Sequence, residues 1–283
     1  MLNVIKMELY RMFRTKSLYV IWLILAAGIL FTTTLVEDEM NLYTAEERQE
    51  QYEYATGEKS GEPVNIGLSV TTPTKPGEDV SVFDLFYANI SGKFIVLFMV
   101  IFTVLYSSAD MSSGYIKNVA GQLKDRGSLV LAKAVALFVY VVLTILIFAG
   151  VQAISNALFF DRFVLGPWKD FLAYGGVQVV LHFAFVMVAM CFTIVFRNQV
   201  LSMVTVICMC MNILTILYGF VDKMIADMGI KGFQMIDYTV GGKMMALPMK
   251  ITGQAAGSSC AVGVAFAVLT VGIGYLVFRK RDI

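Results

Sequence analysis

Asp110 to Lys133 reads DMSSGYIKNVAGQLKDRGSLVLAK, a polar, glycine-punctuated stretch between two runs apolar enough to cross a bilayer. A turn between neighbouring helices needs only a few residues, whereas this segment uses about twenty. Tyr115, Ile116, Val119 and Leu123 can share one narrow apolar face of a short helix, with Lys117, Asn118 and Lys124 on other sides. Gly114, Gly121 and Gly127 suit hinges or caps. An isolated surface helix of that length is marginal in water, so the pattern predicts burial against a partner.

The flanks define the class of protein. Of 283 residues, 58% are hydrophobic and 15% charged, and the mean hydropathy is +0.74, which excludes an ordinary soluble globular chain. A span needs about 20 mostly apolar residues. Six windows qualify, at about 18–36, 90–109, 130–158, 171–196, 199–220 and 255–278. The expected fold is therefore an all-α membrane protein with six transmembrane helices and a short cytoplasmic helix between spans two and three. Arg197 and Asn198 would turn a tight hairpin between the fourth and fifth spans. No internal repeat or linker divides the chain, so 1–283 is read as one domain.

Six spans leave both termini on one side. If that side is cytoplasmic, it holds twelve Lys and Arg residues against the acids Glu8, Asp110, Asp125 and Asp282, a balance of +8; a net charge of +1 then leaves −7 outside. The inside charges crowd the span ends, where they orient a protein, so both termini are expected in the cytoplasm. The first span has a long apolar run and no small-residue cleavage site after Thr32–Thr34, and is read as retained.

Before it, Ile5, Leu9, Met12 and Phe13 recur at helical spacing among Lys6, Arg11, Arg14 and Lys16, the pattern of an interfacial helix over 1–17. Residues 37–84 form an acidic external loop with twelve acids against Arg48, Lys59 and Lys75. Within it, Thr44 and Glu47 fit a capping box opening a helix over 43–54. The stretches 64–70 and 80–83 are too short to assign. Asn89-Ile90-Ser91 fits a glycosylation sequon but abuts the second span and is read as chance. Cys191, Cys208, Cys210 and Cys260 match no metal spacing and are read as buried thiols.

Catalytic chemistry finds no support. There is no HExxH, and the single histidine, His182, cannot supply a metal cluster, so no catalytic or metal-ligating residues are assigned. No Asp or Glu lies mid-window, which argues against an ion-coupled carrier. Neither Gly92-Lys93-Phe94 nor Gly242-Lys243-Met244 has the leading glycine or trailing hydroxyl of a phosphate-binding loop.

An interfacial N-terminal helix, an acidic external loop, a second span leading into an acid followed by Gly-aromatic-Ile-Lys-Asn, and a last span closed by Phe278-Arg279-Lys280-Arg281-Asp282-Ile283 together resemble the permease subunits of ABC-2-type transporters. Within them the chain is similar to lantibiotic and bacitracin immunity permeases and amphipathic-peptide exporters. Asp110 departs from the pattern, where Glu is expected in many relatives. The resemblance implies a coupling helix, with Asp110, Gly114, Tyr115, Ile116, Lys117, Asn118, Val119, Leu123 and Arg126 as contacts to a separate ATP-binding subunit. The chain itself would bind no cofactor, ATP and Mg residing on that subunit. A second permease copy or homologue, the lipid bilayer and a peptide substrate are the other implied partners, with no nucleic acid, at the bacterial plasma membrane. A peptide sensor sharing the same parts stays open beside an exporter.

Phe94, Phe98, Phe102 and Tyr106 form an aromatic ribbon along the second span, a candidate substrate path or ordinary packing. Gln178 and His182 share one face of the fourth span; with Asn212 they are candidates for the same path, interhelical hydrogen bonding being the commoner use. Gln152 with Asn156 is read the same way. Residues 221–254, with Met224, Met228, Met235, Met244, Met245 and Met249 broken by glycines, suit a half-inserted outer gate or an interfacial loop.

Overall fold

Backbone groups in hydrocarbon must find partners within the chain, which favours helices for so apolar a sequence. The computed structural model describes residues 1–56, 68, 70–112, 125–230 and 232–280, and no β-strand occurs among the described residues. The helices are α1 (Leu2–Arg14), α2 (Lys16–Leu42), α3 (Ala45–Thr56), α4 (Val82–Ser91), α5 (Phe94–Ser112), α6 (Ser128–Phe159), α7 (Trp168–Phe196), α8 (Gln199–Cys210), α9 (Thr215–Asp227), α10 (Val240–Ala246) and α11 (Gly253–Arg279). A 3-10 turn, Met235–Tyr238, precedes α10.

Four helices, α2, α6, α7 and α11, are each long and apolar enough to cross a membrane. Two further segments qualify only as bent pairs, α4 with α5 at 55° and α8 with α9 at 66°. The windows at 90–109 and 199–220 are corrected accordingly. The second begins at Val82, because Ser81 and Asp84 build a capping box: Ser81 N donates to Asp84 Oδ2 at 3.0 Å and Asp84 N to Ser81 Oγ at 3.1 Å. The stretch 80–83, unassigned from pattern, is thus a helix start. This helix breaks at Gly92-Lys93, where Lys93 has φ 59°, and α8 breaks before Asn212, with φ 58°. Lys93 N still donates to Ile90 O and Asn212 N to Met209 O, so the breaks keep backbone bonds.

Arg197 closes α7 in the left-handed region (φ 55°) and Asn198 caps α8 by accepting from Leu201 N, which makes the expected hairpin. Thr44 and Glu47 form the expected capping box, with Glu47 Oε2 2.8 Å from Thr44 N. Two hydrogen bonds from Thr44 hold the Glu47 carboxyl below its ordinary value.

The core centres on α7, which packs against α5, α6, α8, α10 and most extensively α11. Gly263 permits that approach, since a Cβ there would lie 3.1 Å from Val180. Leu23, Phe31, Leu146 and Val268 stay exposed, an apolar exterior suited to lipid. A buried polar network joins α2, α4 and α6. Asn89 donates to Gln152 Oε1 (3.3 Å), Gln152 Nε2 to Thr33 and Ser155 (3.1 and 3.0 Å), Thr32 to Asn89 (3.2 Å), and Asn156 to Val80 O (2.9 Å). Asn89 is thus a core residue, enclosed away from any glycosylating enzyme.

Candidate functional site

The 113–124 stretch, with Gly114, Tyr115, Ile116, Lys117, Asn118, Val119 and Leu123, lies outside the described residues, as does the side chain of Asp110. The two ends of the segment are described, and each is fastened to the bundle. Tyr106 stands near the end of α5 and Lys133 near the start of α6. Both meet Glu8 of α1, which is 1% exposed. Tyr106 Oη lies 2.7 Å from Glu8 Oε2 and 3.0 Å from its carbonyl oxygen. Arg11 Nη2 donates to the same carboxylate at 2.8 Å, and Lys133 Nζ stands 3.9 Å away. The Tyr106 ring also carries both cations on its face, Lys133 Nζ at 4.4 Å and the Arg11 guanidinium at 4.8 Å. One buried carboxylate therefore serves a phenol and two cations, the arrangement that makes a buried charge tolerable.

The far end of the segment is tied to the last span. Tyr275 Oη of α11 donates to Asp125 Oδ2 at 2.5 Å, and Gly127 N to Asp125 Oδ1 at 3.0 Å. Gly127 is required for this closeness, because a Cβ there would fall 2.3 Å from the Tyr275 ring. The Tyr275 hydrogen bond, aided by the Gly127 amide, holds the Asp125 carboxyl below the usual carboxylate value. A depressed folded-state value means that the anchor is fully present above the ordinary carboxylate value and is lost as pH falls through the lowered one. Tyr275→Phe should return the Asp125 titration, followed by carboxyl carbon NMR, toward its ordinary value; an unmoved titration would remove Tyr275 as the cause.

The aromatic ribbon divides. Phe102 and Tyr106 are enclosed, Phe102 stacking on Tyr106 (5.5 Å) and packing on Tyr140 (4.4 Å). Phe94 and Phe98 are half-buried with ring centroids 5.2 Å apart, and Phe94 seats against Gly28 of α2. Gln178 and His182 are buried. Gln178 Nε2 donates to Met244 O of α10 at 3.3 Å, while His182 Nδ1 bonds within its own helix to Gln178 O at 2.8 Å. Asn212 accepts a hydrogen bond from Lys93 Nζ, joining the two helix breaks. Arg126 lies in the turn that opens α6. In the 221–254 stretch, Met244 is buried while Met224 and Met228 are exposed. Among the described residues, no group of three or more His, Cys, Asp or Glu is placed to hold a metal.

Pattern reading missed Glu8, Lys133, Asp125 with Tyr275, and Lys93. Glu8 carried a signal, lying three residues after Ile5 and four before Met12 on the apolar face of α1.

These features define an all-helical, multi-pass membrane protein. A family model described as "Protein of unknown function (DUF2705)" matches residues 62–283, and the chain belongs to that family. No curated protein matches it.

Proposed function

We propose that the chain is the permease subunit of an ATP-driven exporter of the ABC-2 type, moving amphipathic or antimicrobial peptides out of the cell or the membrane. In this reading the two bent pairs are spans, giving six, with α1 in the interface and both termini in the cytoplasm of a bacterial cell. Residues 110–130 dock on a separate ATP-binding subunit, and two permease copies or homologues meet in the membrane.

The observation that carries this reading is the fastening of the residues on either side of 113–124. The N-terminal flank is held through Tyr106 to Glu8 of α1, and the C-terminal flank through Lys133 to the same carboxylate and through Asp125 to Tyr275 of α11. A push on this segment is thereby delivered to the first and last helices at once, as coupling to an external motor requires. Rigid helices with discrete side-chain links can carry such a displacement across a bundle.

The test is co-purification. The full chain alone should hydrolyse no ATP and should copurify with an ATP-binding subunit encoded beside it. Tyr115→Asp with Ile116→Asp should abolish copurification while the chain remains monodisperse. An intact complex from that double variant would remove the docking face, and a chain with no such partner would remove the reading.

A further inference from the structure

Lys93 is 3% exposed at the break between α4 and α5, inside a bent pair apolar enough to span a membrane. An ammonium has three donors. Its hydrogen-bond partner is the neutral amide oxygen of Asn212, and among the described residues no carboxylate pairs with it; the titratable neighbour acting on it is the Cys210 thiol. Taking such a charge out of water costs several kcal/mol unless an opposite charge accompanies it. The surroundings leave room for one.

A cavity of about 60 Å³ adjoins Lys93, lined on its polar side by Asn212, Thr215, Tyr218 and Thr239. A water needs about 10–15 Å³ of such a cavity, so the space holds a few waters or a group the size of a carboxylate. Gly241 keeps that space open, since a Cβ there would stand 2.9 Å from Lys93 Nζ. Phe185, Val188 and Phe266 supply apolar walls that strengthen any charge pairing within. Lys93 and Asn212 also both occupy the left-handed region, a conformation that non-glycine residues hold only when the surroundings enforce it.

We infer that the Lys93 cavity is an intramembrane binding site for a single carboxylate, with the Lys93 ammonium as its counter-charge and the Tyr218 hydroxyl on its polar wall, the Thr215 and Thr239 hydroxyls being donated to the backbone oxygens of Asn212 and Ile236. The carboxylate is either a free small anion or the head of an amphiphile reaching in from the membrane. The inference stands independently of the transporter reading.

The test measures thermal stability of the purified full chain in detergent with acetate, with dodecanoate and with uncharged dodecanol. A ligand at about 100 times its Kd raises the folded-to-unfolded ratio about 100-fold. The wild type should show a saturable shift of that kind, and Lys93→Met should lose it. Asn212→Asp is nearly isosteric and tolerates the left-handed conformation. It places a carboxylate beside Lys93 and should keep the fold while abolishing the response. A shift with acetate and dodecanoate alike assigns a free anion, and one with dodecanoate alone assigns an amphiphile; both support the site. Equal stabilisation by dodecanol, an undiminished response in Asn212→Asp, or no saturable shift in the wild type would overturn it.

Discussion

Glu8→Ala is expected to destabilise the purified chain by about 3–5 kcal/mol, the usual effect of removing one partner from a buried charge cluster. The size follows from what the carboxylate holds. It is 1% exposed, it receives Tyr106 at 2.7 Å and Arg11 at 2.8 Å, and it lies 3.9 Å from Lys133. Its loss removes the carboxylate that Arg11 and Lys133 share beside the Tyr106 ring. Tyr106→Phe keeps the ring and removes the hydroxyl donated to a charged group, so it should cost about 1.5–3 kcal/mol. Because the residues touch, the double variant should lose less than the sum of the two, with a coupling of about 0.5–3 kcal/mol. Chemical denaturation in detergent measures all three. A Glu8→Ala loss below about 1 kcal/mol would place the cluster in the range of exposed surface pairs.

This cluster also shows where sequence reading stops. The apolar spacing of Ile5, Leu9 and Met12 was enough to predict a helix at the N-terminus, and α1 spans Leu2–Arg14. Glu8 shares that face, yet a single acid among basic residues reads as topology balance until its partners are known, and they lie 98 and 125 residues away in α5 and α6. Assigning all remaining Lys and Arg to the outside likewise overlooked Lys93, a buried cation rather than a solvated one. Long uniform runs such as those of α6 and α7 announce themselves by composition alone. Breaks do not, because Gly92-Lys93 and Met211-Asn212 interrupt the helix without interrupting the apolar stretch. The polar residues fared better: Gln152 meets α2 and α4, Asn156 meets the Val80 carbonyl just ahead of α4, and Asn212 meets Lys93 at the break between α4 and α5, as the cost of polar groups in hydrocarbon demands. His182 does not, its ring bonding to the carbonyl one turn back in α7.

Gln152→Ala should cost about 3–5 kcal/mol and should act first on α4. Gln152 is fully enclosed, accepts from Asn89 and donates to Thr33 and Ser155. Hydrogen bonds between membrane helices average about 0.6 kcal/mol and reach about 1.7. The two bonds that cross between helices, to Asn89 and Thr33, amount to about 1–2 kcal/mol, and truncation of the buried stem adds a cavity penalty of about 2–3 kcal/mol. The loss falls unevenly, because α2 and α6 still pack on each other directly through Trp22, stacked on Tyr140 and bonded to Thr144 at 2.9 Å. The short helix α4 keeps its capping box but loses its polar tie to α6 through Asn89. Hydrogen exchange should therefore quicken in Val82–Ser91 before it does in α7. Since α4 carries the break at Lys93, loosening it should also weaken the carboxylate response while Lys93 itself is unchanged. Uniform acceleration across α4 and α7 would mean that the network secures the whole bundle rather than this helix.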